Sequence, residues 1–123
     1  IMSTLKVNNL QDINGANNST PEQVAQGRAK AWADFNGSGT LAIRDSFNVS
    51  SITDNGTGNY TVNFSSTFPN AHYAFFATAA NVVNFPNYAT QMTKNTNNVN
   101  FRTSNDVSLF ADSVLTSVVI FAD

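Results

Sequence analysis

The chain has 123 residues, 41% of them hydrophobic and only 11% charged, with a formal net charge of -2 and no cysteine. That length suits one domain with a real core and is short for two, and Asn, Ser and Thr supply polarity where soluble domains usually carry roughly 25% charged residues. Thinly spread Lys and Arg give no basic stripe for nucleic acid. The lack of Cys excludes disulfides and thiolate metal sites, and no run approaches the roughly 18 apolar residues of a membrane span.

Residues 1–20 differ in composition from the rest. Leu5, Val7 and Leu10 are spaced apolars ahead of Asn14-Gly-Ala-Asn-Asn-Ser-Thr20, a stretch too polar to hold itself in place by burial. The segment reads either as a frayed terminus or as a docking arm that inserts Leu5, Val7 and Leu10 into a neighbour or adds a strand to it. No charged region followed by an apolar core opens the sequence, as one would in a signal peptide, which is expected of a protein assembled inside a cell.

Thr20-Pro21-Glu22-Gln23 has an N-cap, a proline at the first helical position and acidic character in the first turn, and so predicts a short helix ending near Gly27 or Arg28. From Lys30 the pattern changes to a strand, with Ala31, Ala33 and Phe35 on one face and Trp32 and Asp34 on the other. Trp32 is a core or interface anchor, or else a platform for stacking a sugar.

Asn36-Gly-Ser-Gly39 breaks that strand, and Leu41, Ile43, Phe47 and Val49 then alternate with polar or small residues at a period of two, predicting a half-buried strand. Asp54-Asn-Gly-Thr-Gly58 is hairpin-turn chemistry. Tyr60, Val62 and Phe64 form the apolar face of the returning strand.

After Phe68-Pro69-Asn70, the run HYAFFATAANV is apolar on both faces, as in a central strand. Asn84-Phe-Pro-Asn87 is a loop flanked by aromatic Phe85 and Tyr88, which either fold back onto the sheet or contact a glycan. A second hairpin joins Tyr88–Thr93 to Val99–Thr103. In the last strand, Ser113–Phe121, Val114, Val118 and Ile120 share one face and Leu115, Val119 and Phe121 the other. Both faces call for burial, in the middle of the fold or at a subunit contact.

About seven short strands with turn signals, one short helix and no βαβ spacing predict an all-β domain, an antiparallel β-sandwich of jelly-roll-like type, over residues 21–123, preceded by the extended N-terminal arm 1–20. His72 stands alone and the carboxylates are scattered, with only Asp106 and Asp112 close in sequence. No zinc ligand set and no EF-hand loop is present. The expectation is therefore a non-enzymatic chain without cofactor or metal.

The stretch AKAWADFNGSGTLAIRDSFNVSSITDNGTGNYTVNF closely resembles a module of tail-fibre and other virion structural proteins of tailed bacteriophages, particularly marine and cyanobacterial ones. The opening STLKVNNLQD is similar to the first residues of several phage fibre and appendage proteins. The resemblance implies a place on the exterior of a virus particle and carries turn and core residues but no active site. Two expectations follow. One is a tail-fibre or adhesion module engaged in host attachment; the other is a capsid decoration protein that cements the head. Either would be a homo-oligomer, most simply a trimer, with other virion proteins as partners. The expected subunit contact is Val114, Val118 and Ile120, and the candidate receptor contact, for a host surface glycan, is Phe85, Asn87 and Tyr88.

Overall fold

The computed structural model describes residues 2–81, 86–105 and 109–123. Among the described residues there is one helix, α1 (Pro21–Gly27), held by a reciprocal capping box: the Thr20 hydroxyl accepts from the Gln23 N–H at 3.2 Å while Gln23 Oε1 accepts from the Thr20 N–H at 2.8 Å. None of its residues is buried. It is a spacer stabilised by its own ends, placed between the arm and the sheet.

Eight strands follow: β1 (Ala31–Asn36), β2 (Ala42–Phe47), β3 (Val49–Asp54), β4 (Asn59–Phe64), β5 (Ala74–Ala80), β6 (Pro86–Lys94), β7 (Asn98–Ser104) and β8 (Leu115–Phe121). All neighbouring pairs are antiparallel. They form one sheet in the order β2-β1-β8-β5-β6-β7-β4-β3, rolled like a barrel and nearly closed. The all-β expectation with one short helix holds; the strands are continuous through β6, whose first residues pair with β5 and whose remainder pairs with β7.

The core lies inside the roll. Alternation puts Ala31, Ala33 and Phe35 of β1 inward, together with Tyr60, Val62 and Phe64 of β4, Val99 and Phe101 of β7, and Val118 and Ile120 of β8. Aromatic edges join the halves: the Phe35 ring lies 5.3 Å from Tyr60 and 6.3 Å from Phe101, and Phe75 lies 5.4 Å from Phe101. Phe64, Phe68 and Tyr73 form a second cluster with ring separations of 4.6 to 5.9 Å. Each such pair contributes about 0.5–1.5 kcal/mol beyond its buried area.

The alternation read over residues 41–49 is corrected by a bulge. Asp34 pairs with Asp45 but Phe35 pairs with Ile43, so Arg44 is the extra residue. An extra residue flips the side chains beyond it to the opposite face. Ile43 therefore shares the inner face with Phe35, while Phe47, opposite Trp32, lies on the outer face. The single strand expected there is also divided, because Asn48 adopts φ 53 between β2 and β3. Its side chain secures the corner, donating to the Lys30 carbonyl at 3.0 Å and accepting from the Ser66 N–H at 2.7 Å. Asn is among the few side chains that tolerate this conformation.

The last strand is central, between β1 and β5. Val118 and Ile120 are 3% and 0% exposed within one chain, so they belong to the core and offer no surface for a subunit contact. Val114, ahead of β8, is half-buried, and its carbonyl accepts from Arg44 Nη2 at 2.6 Å. The outer side of β8 is the one left open. The same holds for β5, which is apolar on both faces yet buries only one.

Candidate functional site

The arm comes first in the chain. Leu10 and Ser19 exchange backbone hydrogen bonds, both 2.8 Å, closing a loop around Asp12. Asp12 Oδ1 accepts from the Asn14 and Ala16 N–H groups at 2.9 and 2.8 Å, and Oδ2 from Asn17 at 3.0 Å. The Asn-rich stretch is thus organised by side-chain to backbone hydrogen bonds where burial cannot do so. Leu5, Val7 and Leu10 are all exposed, Leu5 at 83%. They lie uncovered by their own domain.

The outer surface of the roll has two chemically different halves. Across β2, β1, β8 and β5, register places Phe47 beside Trp32, Trp32 beside Val119, and Val119 beside Phe76. This is an apolar row on the solvent side, extended by Phe121, whose ring is edge-on to Phe76 at 6.4 Å. Phe47 and Phe76 are 54% and 58% exposed. Contiguous exposed apolar surface of this kind marks an interaction site.

The next row on that half is polar: Asp45, Asp34, Ser117 and Thr78. Two carboxylates directly opposite each other repel. Arg44 Nη1, 3.4 Å from Asp34, and the Ser117 hydroxyl, 3.2 Å from the same oxygen, offset that repulsion. The bulge that displaces Phe47 is what supplies this arginine.

The outer side of β3, β4 and β7 is a field of Asn, Ser and Thr in which Arg102 is the one charged member among the described residues. Asn100 Nδ2 reaches Asn59 Oδ1, the Tyr60 carbonyl and Thr61 Oγ1 at 2.8, 2.9 and 3.1 Å. Asn63 Nδ2 donates to Ser51 and Thr53 at 3.1 and 3.0 Å. These ladders link neighbouring strands through uncharged side chains.

At one end of the roll lies a half-buried polar network. Asp112 Oδ1 accepts from the Gly58 N–H at 2.7 Å and the Tyr60 hydroxyl at 3.1 Å, and the same hydroxyl donates to the Gly37 carbonyl at 3.0 Å. Burial pushes the Tyr60 phenol up to about 12, with the Asp112 charge adding to the shift. Asn87 donates to Ser113 Oγ at 2.5 Å and Thr103 to the Ala111 carbonyl at 2.6 Å. The network ties the 109–114 segment to the sheet. Its carboxylate is committed to structural donors, and among the described residues no group of three or more His, Asp or Glu could hold a metal.

The sequence-selected receptor residues separate. Asn87 is 8% exposed and spent on Ser113, so it faces inward and is withdrawn as a receptor contact. Phe85 lies outside the described residues, as does Asp106. Tyr88 is 58% exposed. His72 is exposed, with its N–H donating to Asn70 Oδ1 at 2.8 Å. Sequence reasoning passed over Phe110, which is exposed with its ring 4.2 Å from the Arg102 guanidinium. The available signal was the adjacent large apolar pair Leu109-Phe110 in the stretch Asn105–Ser113, which otherwise carries Asn, Asp and Ser with Val107 and Ala111.

The chain matches no protein-family profile, no curated protein and no solved structure. The functional reading therefore rests on its own surfaces.

Proposed function

We propose that the chain is a structural protein of a bacteriophage particle, a tail-fibre or adhesion module exposed on the virion and engaged in host attachment. The rolled sheet then acts as a jelly-roll-like sandwich, with β2-β1-β8-β5 packed on β6-β7-β4-β3. The observation that carries this reading is the contrast between its outer halves, an apolar row on one and a hydrogen-bonding field of Asn, Ser and Thr on the other. The first suits contact with further copies of the chain, forming a homotrimer. The second suits a solvated surface facing the host. Residues 29–64, which carry the phage-module resemblance, span β1 to β4 and supply part of both faces.

A second reading, capsid decoration, draws support from the uncovered arm. Leu5, Val7 and Leu10 lie where another virion protein could bury them, contributing roughly 1.5–3 kcal/mol for each fully buried side chain. Both readings need no cofactor and no catalytic residue.

Copy number on purified particles, by quantitative mass spectrometry, separates the two. A few multiples of three, with particles lacking the protein failing to adsorb to host cells, is the expected result. A number matching the capsid lattice, with normal adsorption and fragile heads, selects decoration. Absence of the protein from particles overturns both.

A further inference from the structure

The Asn-, Ser- and Thr-rich half of the outer surface ends in a feature that its amide ladders do not explain. Along β7 the outward residues are Asn98, Asn100, Arg102 and Ser104, alternating with the buried Val99, Phe101 and Thr103. At the end of this line Tyr88 of β6 stands opposite Ser104, and Ser104 bridges to Phe110. Because β6 runs along one side of β7, Phe110 takes the other side, where β4 has ended. Ser104 therefore lies between two exposed aromatic residues.

Two strand spacings of about 4.8 Å put the flanking backbones roughly 10 Å apart. Ser104 is the smallest of the outward residues on β7, so of these positions it fills least of the space between the flanking side chains. Phe110 is held by the Arg102 guanidinium over its ring at 4.2 Å, which fixes one wall. A ring left free to rotate would lose entropy on binding; one already stacked loses less.

We infer that the gap bounded by Tyr88 and Phe110, with Ser104 as its floor, is a binding site for one ring of a neutral carbohydrate. The aromatic walls offer apolar faces to the C–H groups of a pyranose. The hydroxyls of Ser104 and of Thr90, which pairs with Arg102 in the adjacent row, supply hydrogen bonds from below. Arg102 is occupied with Phe110, and among the described residues the other outward side chains of β4 and β7 are uncharged Asn, Thr and Ser, which favours a neutral ligand. A single site of this size binds weakly. Several sites presented together on an oligomer raise avidity by about 10² or more when they engage at once. The inference rests on the attachment reading for its biological setting but is tested without it.

The test is affinity electrophoresis of the purified, folded protein through gels containing dextran, laminarin or galactomannan, each at low and high salt. At least one polysaccharide should retard the wild-type protein, and salt should leave the retardation unchanged. Tyr88→Ala and Phe110→Ala should each weaken it by about tenfold. Ser104→Leu, which keeps both rings but fills the gap, should abolish it. Met92→Ser, removing an exposed apolar side chain elsewhere on β6, should leave it intact. Circular dichroism checks that each variant is folded, and Tyr88→Ala, an exposed truncation, remains informative if Phe110→Ala is not. No retardation by any of the three, or retardation indifferent to Ser104→Leu and Tyr88→Ala, overturns the inference. Particles whose adsorption still requires the protein in that event keep attachment and remove the sugar site.

Discussion

The backbone N–H of Gly58 donates to Asp112 Oδ1 at 2.7 Å, linking the β3–β4 turn to the segment ahead of β8 across 54 positions of sequence. Gly58 adopts φ +61, and a Cβ there would meet the Thr103 carbonyl oxygen and the Ala111 backbone. Gly58→Ala therefore combines left-handed strain of about 1–2 kcal/mol with a clash against backbone that cannot yield cheaply. Asp112→Ala strands the Gly58 N–H, at about 1–3 kcal/mol for a group left buried and unpaired, while the Tyr60 hydroxyl keeps the Gly37 carbonyl as its acceptor. Both should lower the midpoint of chemical denaturation, Gly58→Ala more. Asp112→Asn, whose side-chain carbonyl can accept from the same donors, should recover most of the loss. Equal stability of wild type and Asp112→Ala would show that the network is incidental.

How much of this was legible in sequence depends on the range of the interaction. The capping box at Thr20 and Gln23 is local, and so is the alternation that puts Ala31, Ala33 and Phe35 inward. Strand register is not local. The bulge at Arg44 arises from the pairing of β1 with β2, and it moved Phe47 from the expected inner face to the outer one. Likewise, hydrophobicity on both faces of β5 and β8 did not reveal which face the rest of the sheet would cover. Val118 and Ile120 look in sequence like Val119 and Phe121; only the position of β8 between β1 and β5 separates core from surface. Asn87, polar and beside a proline, reads as an exposed loop residue because its partner Ser113 is 26 positions away.

That separation gives a test of assembly against folding. Phe76→Asp and Val119→Asp place charge on the outer apolar row and should shift the protein to monomer in light scattering while leaving the thermal transition nearly in place. Val118→Asp puts an unpaired carboxylate into the core and should prevent folding, or cost at least about 3 kcal/mol. A wild-type protein that is already monomeric would remove this face as the subunit contact.

The arm should be dispensable for folding. Deleting residues 1–18 spares the Thr20 cap, and the described side chains it removes, 2–18, are all exposed and include the Asp12 loop. The stability change should stay within about 0.5 kcal/mol. Attachment to particles lacking the protein should fall sharply, because Leu5, Val7 and Leu10 go with the deletion. Undiminished attachment by the truncated chain would show that the anchor lies elsewhere.

Alkaline titration tests the core from a different side. Burial raises the phenols of Tyr60 and Tyr73 from the ordinary 10.0 to about 12. Each buried phenol favours the folded state in its neutral form, so its contribution is fully present below pH 10 and is lost as pH rises from about 10 toward 12. Two of the chain's three tyrosines are involved. Tyrosinate absorbance from these two rings should accordingly appear together with loss of the β-sheet circular dichroism signal near pH 12. Tyr73→Phe removes a hydroxyl that donates to the Asn95 and Asn98 carbonyls, each at 3.0 Å. It should take one tyrosine out of the late phase and lower stability at neutral pH by about 0.5–1.5 kcal/mol. If Tyr60 and Tyr73 ionise near pH 10 with the fold intact, their rings are not enclosed as described.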